Sequence, residues 1–532
     1  MGDLVLNEGS VCIKEEVTEG TYLEESSAAS FIEVLEEGFE IVPNRALVER
    51  NLRTSTVETV ASRLGTKGVS GSIPIEFKAG ATAGAAPRQE PLLKALLGGK
   101  RSSAEITTQT GHTTSILEVD DANGTAEVST VTFETKADSD SGDFLLFRSQ
   151  DNTTYAAAID LTGSDDEPTS SKWLSIPTTQ RVMVDISGAT DAASVAALFE
   201  TAIDTLATGD ITTDDAASNG TLVFTQDTAG IIADTQGRTL DSMEDYAAAS
   251  ETDGSSGITW ATGTAGVNSD IQKLHVGDII LIKEAVHHIS PILSKDSDSI
   301  TLLVARATSF SDSVKIEAFT TYYHDTANAS TLSITEYVGG KKRKRAYGCR
   351  VVSAELGGYA TGTALEMTYA FEGLGYAFAV GYPLYTPSYD EIYPPVALKA
   401  KIYKDGTEVI ANEFTLSISN TLGFKTSTGS DNGKLASRIT KQSISGTVNP
   451  YMEDDNADIF NDLFEDGDSF SLFAHAQNDL ATNTFQNIVG IYLPLCKLPE
   501  VTTGDQEGLA TDAMSFTAHK DNGYDSIFIS CI

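Results

Sequence analysis

Two short stretches carry residues of the kind that bind metal ions. The run Asp138-Ser-Asp-Ser-Gly-Asp resembles the start of a calcium-binding loop, but Gly142 and Asp143 stand in reversed order and the twelfth position is Ser149, not a glutamate. His287 and His288 are neighbours, so on a strand they point to opposite faces and cannot bind one ion together. We expect a solvated turn at the first stretch and no metal at the second.

Motifs for catalysis are missing from the sequence. It has no nucleophile elbow, phosphate-binding loop or dinucleotide fingerprint, and its seven histidines are scattered. The four cysteines, Cys12, Cys349, Cys496 and Cys531, form no Cys-x-x-Cys pair, which favours structural thiols in a reducing compartment. We therefore predict no catalytic, metal-binding or cofactor-binding residue and no cofactor, and we expect a protein that is not an enzyme.

One basic run, Lys341 to Arg345, leads directly into a predicted strand. This position favours a charge-complementary contact with an acidic neighbour. A solvated hairpin is the second interpretation, and a nucleic-acid patch is the third.

The elements around these residues are organised by a stretch that occurs twice. Residues 61–76 and 436–451 align without a gap at a shift of 375 positions, with Ala-Ser-Arg and Ser-Gly identical, and the same shift places Phe39 on Phe414. A short helix-like run follows each stretch, at 91–99 and at 457–467. Residues 360–373 further resemble residues 510–523, a shift of 150 positions. We infer an internal duplication whose first copy is split by an insertion.

Composition and charge limit the class of protein. The chain has 532 residues, 40% of them hydrophobic, and no run of about 20 apolar residues that would span a membrane. Its first residues lack the pattern of a secretory signal, so we expect synthesis in a cytosol. Between Thr113 and Asp270, 28 Asp and Glu stand against five Lys and Arg, which is more than half of the net charge of −40. So acidic a surface disfavours binding to duplex DNA.

The predicted domains follow from the duplication. The first copy comprises residues 1–112 with 324–378, and the second comprises 396–532. Between the parts of the first copy lie an acidic α+β domain (113–270) and a small β segment (271–323), and a Pro/Tyr-rich connector (379–395) joins the copies.

The predicted elements alternate strands with few helices. Phe31 to Val42 and Val69 to Phe77 are predicted strands, with a long polar loop from Arg45 to Lys67 between them. A helix is expected from Pro91 to Gly98, with its leucines on one stripe. In the acidic domain, Asn123-Gly124 predicts a turn, and Thr190 is expected to cap a helix that stops at Gly209. Its predicted strands are Val128 to Glu134, Phe144 to Phe147, Tyr155 to Ile159, Arg181 to Ile186 and Thr221 to Gln226.

Three segments together resemble a known family. Residues 46–55, 65–97 and 344–350 are similar to the major tail tube proteins of long-tailed bacteriophages with non-contractile tails, and the similarity covers residues 1–112 and about 324–532. The resemblance implies a mainly β fold: two tandem tail-tube-like antiparallel β-sandwich or barrel domains, each with a flanking helix, plus the inserted small α+β domain.

The resemblance also implies a function. The chain would be a structural virion protein whose rings stack into a tail tube, enclosing a lumen through which the genome passes into the host. Residues 45–67 and 420–435 would be the loops that reach the next ring. Two copies per chain imply a homotrimeric, pseudo-hexameric ring, with the acidic domain on the outside.

Further partners would be the tail terminator, distal tail and tape measure proteins. DNA would pass transiently without specific binding, and no membrane would be involved. The protein would be made in the host cytoplasm and reside in the virion tail.

Two other classes remain open on the sequence alone. A bacterial surface-layer or adhesin-type structural protein would also be acidic, β-rich and modular, but it would need an export signal. An enzyme that acts on glycans through the inserted domain would need paired carboxylates in a cleft.

Overall fold

The computed structural model describes residues 9–50, 60–119, 126–150, 152–164, 167–215, 219–228, 243–246, 257–264, 270–284, 286–339, 341–390, 392–397, 400–430, 432–452, 463–478, 487–521 and 525–532. The chain divides into two compact units. Unit 1 comprises residues 1–118, 275–296 and 300–532, and unit 2 comprises residues 119–274 with 297–299. None of the helices in the described ranges has the length and apolarity needed to cross a lipid bilayer.

A large antiparallel sheet dominates unit 1. Its strands, numbered in chain order, are β1 (Ser10–Glu15), β2 (Phe31–Ile32), β3 (Glu40–Arg50), β4 (Val60–Glu76), β5 (Gly98–Ser103), β20 (Phe319–His324), β21 (Leu332–Val338), β22 (Lys342–Gly357), β23 (Glu366–Gly373), β24 (Gly375–Val380), β25 (Lys401–Lys404), β26 (Thr407–Val409), β27 (Ala411–Thr426), β28 (Lys434–Pro450), β29 (Phe470–Ala476), β30 (Val489–Gln506), β31 (Leu509–His519) and β32 (Phe528–Cys531). These strands confirm the predicted mainly β fold.

Eight of these strands form one continuous run. Their order is β3-β4-β23-β22-β27-β28-β31-β30, and every neighbouring pair is antiparallel. In β22 and β30 the first and second halves have different partners: the first half of β22 pairs with β21 and β24, and the first half of β30 pairs with β29 and β32. These two long strands therefore connect the eight-stranded run to the remaining strands of unit 1.

The helix predicted near Pro91 is confirmed as α1 (Glu90–Leu96). Pro91 lacks a backbone N–H, which costs the helix nothing because N–H groups in the first turn have no partner within the helix. Leu92, Leu93 and Leu96 are fully buried. They join one core cluster with residues of both predicted copies, such as Ile73 and Val448. A single hydrophobic core therefore underlies the eight-stranded run.

A smaller sheet belongs to unit 1 except for Ser299, the first residue of one of its strands. Its strands are β6 (Ile106–Thr107), β19 (Lys315–Ile316), β16 (Ile279–Lys283), β17 (His288–Lys295), β18 (Ser299–Leu302) and β7 (Ile116–Glu118), in this spatial order. A buried ion pair joins it to the large sheet, since Nε of Arg101 on β5 donates to Oδ1 of Asp278 at 2.6 Å. Burial acts to raise the pKa of Asp278, but the charge of Arg101 and the hydrogen bond from His275 hold it below its ordinary value.

Unit 2 has two four-stranded sheets and two α-helices among its described residues. One sheet has the order β12 (Ile211–Asp214), β13 (Thr221–Gln226), β8 (Val128–Phe133), β15 (Ile258–Thr264), and the other β11 (Arg181–Asp185), β10 (Thr154–Asp160), β9 (Phe144–Arg148), β14 (Met243–Tyr246). Helix α3 (Ala192–Leu206) packs its Val195, Phe199 and Ile203 into a core shared by both sheets. The short α2 (Ser171–Ser175) buries Trp173 in a separate cluster.

Several local predictions need correction. The N-cap of α3 is Asp191, not Thr190, because the Asp191 carboxylate accepts the Ser194 N–H. Phe31 to Val42 is not one strand, since β2 ends at Ile32 and a turn with Gly38 at φ 87° precedes β3. The turn at Asn123-Gly124 and most of the helix predicted at 457–467 lie outside the described residues. The predicted domain boundaries stay a prediction.

Candidate assembly surface

In the described residues, the loops predicted at 45–67 and 420–435 are antiparallel strand pairs instead. Strands β3 and β4 pair as far as Arg50 and Val60, and β27 and β28 pair as far as Thr426 and Lys434. Beyond Val69 and Ile444 the hairpins continue past the strands next to them, β23 and β31. We call residues 44–50 with 60–68 the first arm, and residues 420–430 with 432–442 the second arm. The loop prediction was wrong because polar residues also suit a hairpin with two solvated faces.

Both hairpins have the same strand register. Glu40 pairs with Ser72 and Thr415 pairs with Thr447, so both partners differ by 375 positions. The same holds for Arg45 opposite Lys67 and Asn420 opposite Gln442. Since a slip of one residue would turn every side chain to the other face, identical register means that the two hairpins bury equivalent residues.

The repeated Ser-Gly pair has a packing reason. Gly71 lies against Phe371 and Gly446 against Phe516, and a Cβ at either glycine would meet the Cζ atom of that ring at 2.6 Å. Phe371 and Phe516 are therefore equivalent, which gives a shift of 145 positions, whereas the sequence comparison of residues 360–373 with 510–523 implied 150. That part of the alignment was wrong by five residues, because the turns that precede the two strands differ in length.

The eight-stranded run has an internal joint where β22 meets β27. Ser353 pairs with Ser419 and Leu356 pairs with Leu416. The Asn420 side chain stabilises the joint, because its amide donates hydrogen bonds to the carbonyls of Leu96 at 3.0 Å and Val351 at 3.2 Å. We call the strands β3, β4, β23 and β22 the first hairpin system and the strands β27, β28, β31 and β30 the second. The last strand of the first hairpin system thus pairs directly with the first strand of the second.

A cluster of charged and polar groups also lies at this joint. Glu19 accepts hydrogen bonds from the N–H of Ser437 at 2.5 Å, from its hydroxyl at 2.9 Å and from Arg438 at 2.7 Å. Buried Arg350 donates to the same hydroxyl at 3.0 Å. Burial acts to raise the pKa of Glu19, but the hydrogen bonds from Ser437 and Arg438 lower it below its ordinary value. The Ala-Ser-Arg motif of the second arm therefore has a defined acidic partner.

The two outermost strands of the eight-stranded run, β3 and β30, each have an open edge. In the described part of the chain, β3 pairs with β4 alone, and residues Glu500–Gln506 of β30 pair only with β31. Both edges are long and carry backbone groups able to pair with another strand. The first and the last strand of the run thus each have one unpaired side in the described part of the chain, and these sides lie at opposite edges of the same sheet.

One face of the run is buried and the other is exposed. On the buried face lie Ile73, Leu356, Tyr369, Ile418 and Val448. The exposed face carries five glutamates in the first hairpin system, Glu40, Glu76, Glu355, Glu366 and Glu372, and mainly serine and threonine in the second. This face is strongly acidic on the half formed by β3, β4, β23 and β22, whereas the other half adds only Lys497 and Glu500 to its hydroxyl groups on β28, β31 and β30.

The sequence-predicted metal candidates are not brought together. Asp138 accepts a hydrogen bond from the hydroxyl of Thr135, and Asp143 is buried, so the predicted turn is not fully solvated. His288 lies on β17 with its Nε2 2.8 Å from the Val304 carbonyl, and His287 precedes that strand. No group of three metal-ligating side chains occurs among the residues that the structure describes.

The basic run and the cysteines have structural positions. Arg343 and Arg345 contact Glu24, and Lys344 lies 2.8 Å from Glu336, so the expected acidic contact is made within the chain. All four cysteines are buried and unpaired, as predicted for structural thiols. Burial raises the pKa of the Cys349 thiol well above its ordinary value, which keeps it unreactive.

Sequence reasoning missed the partners at the joint. Glu19 and Ser437 are 418 positions apart, and no local pattern connects them. The only sequence signal was the repeated Ala-Ser-Arg, whose polar side chains gave no indication of the acidic residue that they meet.

These features define a class: a β-sheet structural protein with two similar hairpin systems in one sheet, open edges on both sides and no assembled catalytic group among its described residues. The family model of the phage tail tube protein matches residues 175–518, well over half of the chain. The chain therefore belongs to the phage tail tube protein family. It is a structural component of the virion tail that assembles with copies of itself and with other tail proteins. A search of curated proteins returned no match.

Proposed function

We propose that the chain is a duplicated tail tube protein of a non-contractile phage tail, and that its rings close by repeating the joint between β22 and β27. The carrying observation is that two open edges flank an eight-stranded run whose two halves share one register. If β30 of one chain meets β3 of the next as β22 meets β27, Glu500 lies opposite Asn44 and Thr502 opposite Val42. Closing the sheet removes both edges.

Three chains would close a ring of 24 strands with pseudo-sixfold symmetry. With strands about 4.8 Å apart and tilted by about 40°, the barrel would measure about 48 Å between opposite backbones. Duplex DNA fits such a lumen. The number of three chains is supported by the two hairpin systems, because each hairpin system would take the place of one subunit in a ring of six.

The exposed face of the run would line this lumen. Its five glutamates repel the phosphate backbone, and its serine and threonine hydroxyls offer no fixed positive charge. The genome would therefore move through during ejection without specific binding. The tail terminator, distal tail and tape measure proteins would be the partners at the ends of and inside the tube, and the protein would be made in the host cytoplasm.

Cysteine cross-linking tests the interchain joint and counts the chains. Val42→Cys and Thr502→Cys in one chain place a cysteine at each open edge, directly opposite one another in the proposed register. Oxidised assemblies should give dimers and trimers on a non-reducing gel, with no larger species, because a closed ring of three has no free edge left. The control pair Val42→Cys and Thr517→Cys places the second cysteine on β31, one strand away, and should not cross-link.

Two results on the gel would contradict the proposal. Monomers alone, from rings or tubes seen by electron microscopy, would overturn the joint. A ladder that continues beyond three chains would overturn the trimer. The native thiols are buried and should add little background.

A further inference from the structure

The long strands β22 and β30 can be compared position by position. Arg350 of β22 pairs with Glu372 of β23, and Lys497 of β30 pairs with Thr517 of β31. Since β23 and β31 correspond at a shift of 145 positions, Arg350 corresponds to Lys497, a shift of 147 positions for β22 and β30. The first halves of the two strands can therefore be matched as well, together with the strands that pair with them.

Strands β24 and β32 occupy the same place on these two long strands. β24 pairs with the first half of β22, where Phe378 lies opposite Lys344. β32 pairs with the first half of β30, where Ile529 lies opposite Ile491. Lys344 and Ile491 differ by 147 positions, so Phe378 and Ile529 are equivalent.

The surroundings of these two equivalent strands differ. Strand β20 pairs with the second edge of β32, and Ile529 and Cys531 are 0% and 1% exposed. Within the described part of the chain, β24 pairs only with β22, so its second edge is open. Phe378 and Val380, which is equivalent to Cys531 in the same register, are 58% and 81% exposed. β24 is thus an edge strand whose counterpart is covered by another strand.

A second copy of the chain offers no counterpart of β20 to this edge. Strand β20 and its neighbour β5 come before β21 along the chain. Strand β29 corresponds to β21, since Leu332 pairs with Cys349 and Phe470 pairs with Cys496. The described residues directly before β29, residues 463–469, contain no strand. This difference favours a different protein as the source of a strand for β24.

The open edge of β24 lies beside the basic run. Lys342 is directly opposite Val380, and Lys341 precedes it; both lysines are exposed. Residues 343–345 of the run have glutamate partners, whereas Lys341 and Lys342 form no ion pair with another described residue. Two such edges would repel each other, and an acidic strand would be attracted.

We propose that β24 is the docking edge for an extended, acidic and apolar segment of another protein, which adds to the sheet as an antiparallel strand. Main-chain hydrogen bonds supply the affinity, and Phe378, Val380 and Lys342 select the side chains of alternate residues. The pairing of β20 with β32 gives the register: Tyr322 lies opposite Ile529 there, so an apolar or aromatic residue lies opposite Phe378 here. This inference goes beyond the proposed tube and does not depend on the number of chains in a ring.

A peptide with the sequence of residues 317–325 is the matching probe, because it contains β20 and its first and last residues are acidic. Labelled with a fluorophore, it should bind the full-length chain saturably in anisotropy titrations. Val380→Asp should weaken binding about tenfold or more, since it places a carboxylate on the edge that the acidic peptide approaches. Lys342→Gln should weaken binding less and make it less dependent on salt. Val286→Asp, at a valine 71% exposed before β17, is the matched control and should leave binding unchanged.

Cross-linking tests the register of the bound peptide. Thr321 lies opposite Ser530 in the pair β20 and β32, and Ser530 is equivalent to Ala379. The variant Ala379→Cys should therefore form a disulfide with a peptide that carries Thr321→Cys. A peptide that carries Tyr322→Cys should not react, because its thiol points to the other face of the sheet. A peptide with Thr321→Pro should not bind, since proline interrupts the ladder of main-chain hydrogen bonds.

The outcomes separate this inference from the proposed function. Absence of binding, unchanged affinity in Val380→Asp, or equal cross-linking of Ala379→Cys to both cysteine peptides would overturn the docking edge. Binding to the dissociated chain but not to assembled tubes would show that a second copy occupies the edge, which overturns the assignment to another protein. The proposed function fails on a different result, namely a wild-type chain that forms neither rings nor tubes at any concentration.

Discussion

Gly446, which lies against Phe516, provides a sharp test of the close approach of β27 and β28. In Gly446→Ala, the new Cβ would lie 2.6 Å from the Cζ of Phe516 and even closer to the Thr415 carbonyl oxygen. The ring could turn aside, but the carbonyl belongs to the backbone of β27, so the two strands would have to separate. Overpacking of this kind costs about 3 kcal/mol, which lowers the folding equilibrium constant by a factor on the order of a hundred.

Urea unfolding of the disassembled chain, followed by tyrosine and tryptophan fluorescence, would measure this loss. Gly71→Ala should cost a similar amount, because its Cβ would meet Phe371 at the same 2.6 Å. Gly429→Ala is the matched control, since a Cβ there would meet only the Ser427 hydroxyl at 3.8 Å. Equal midpoints for Gly446→Ala and Gly429→Ala would refute the close approach of the two strands.

Three other perturbations have expected outcomes. Glu19→Gln should destabilise the chain by about 1–2 kcal/mol. Because the pKa of Glu19 is lowered from 4.5, its contribution is present above that pH and lost as the pH falls through the folded-state value, so the acid limb of thermal stability should flatten in this variant; an unchanged limb would contradict the joint. Asp278→Asn should cost about 3 kcal/mol by leaving Arg101 unpaired in a buried site, and a second change, Arg101→Met, should recover part of it; a neutral single variant in thermal melts would argue against burial of the pair. The four buried thiols should react with Ellman's reagent only in denaturant, and fast labelling of the native chain would contradict their burial.

Sequence patterns predicted the elements that have one buried face. The alternation in Thr221 to Gln226 coincides with β13, and the leucine stripe after Pro91 coincides with α1, because burial on one side imposes a period on the residues. The repeat of residues 61–76 at 436–451 was visible for the same reason, since its matched positions include core residues such as Ile73 and Val448.

The arms were missed because no such constraint acts on them. Leu47, Val48 and Leu64 are all exposed in the single chain, so neither face of that hairpin shows a regular apolar pattern. The joint was missed for a different reason: the carboxylate of Glu19 and the hydroxyl of Ser437 meet only through the tertiary fold. The family resemblance suggested where these segments belong, but not their conformation.

The chain leaves unit 1 after Glu118 and re-enters it at His275, and almost all of unit 2 lies in between. Both units have cores of their own, and β7 and β16, which flank the interruption, lie in the same six-stranded sheet. A folded domain whose own termini are close together costs its host little loop entropy at such a position. Residues 120–274 are therefore the natural place to graft a fluorescent protein or an epitope, with one copy per chain.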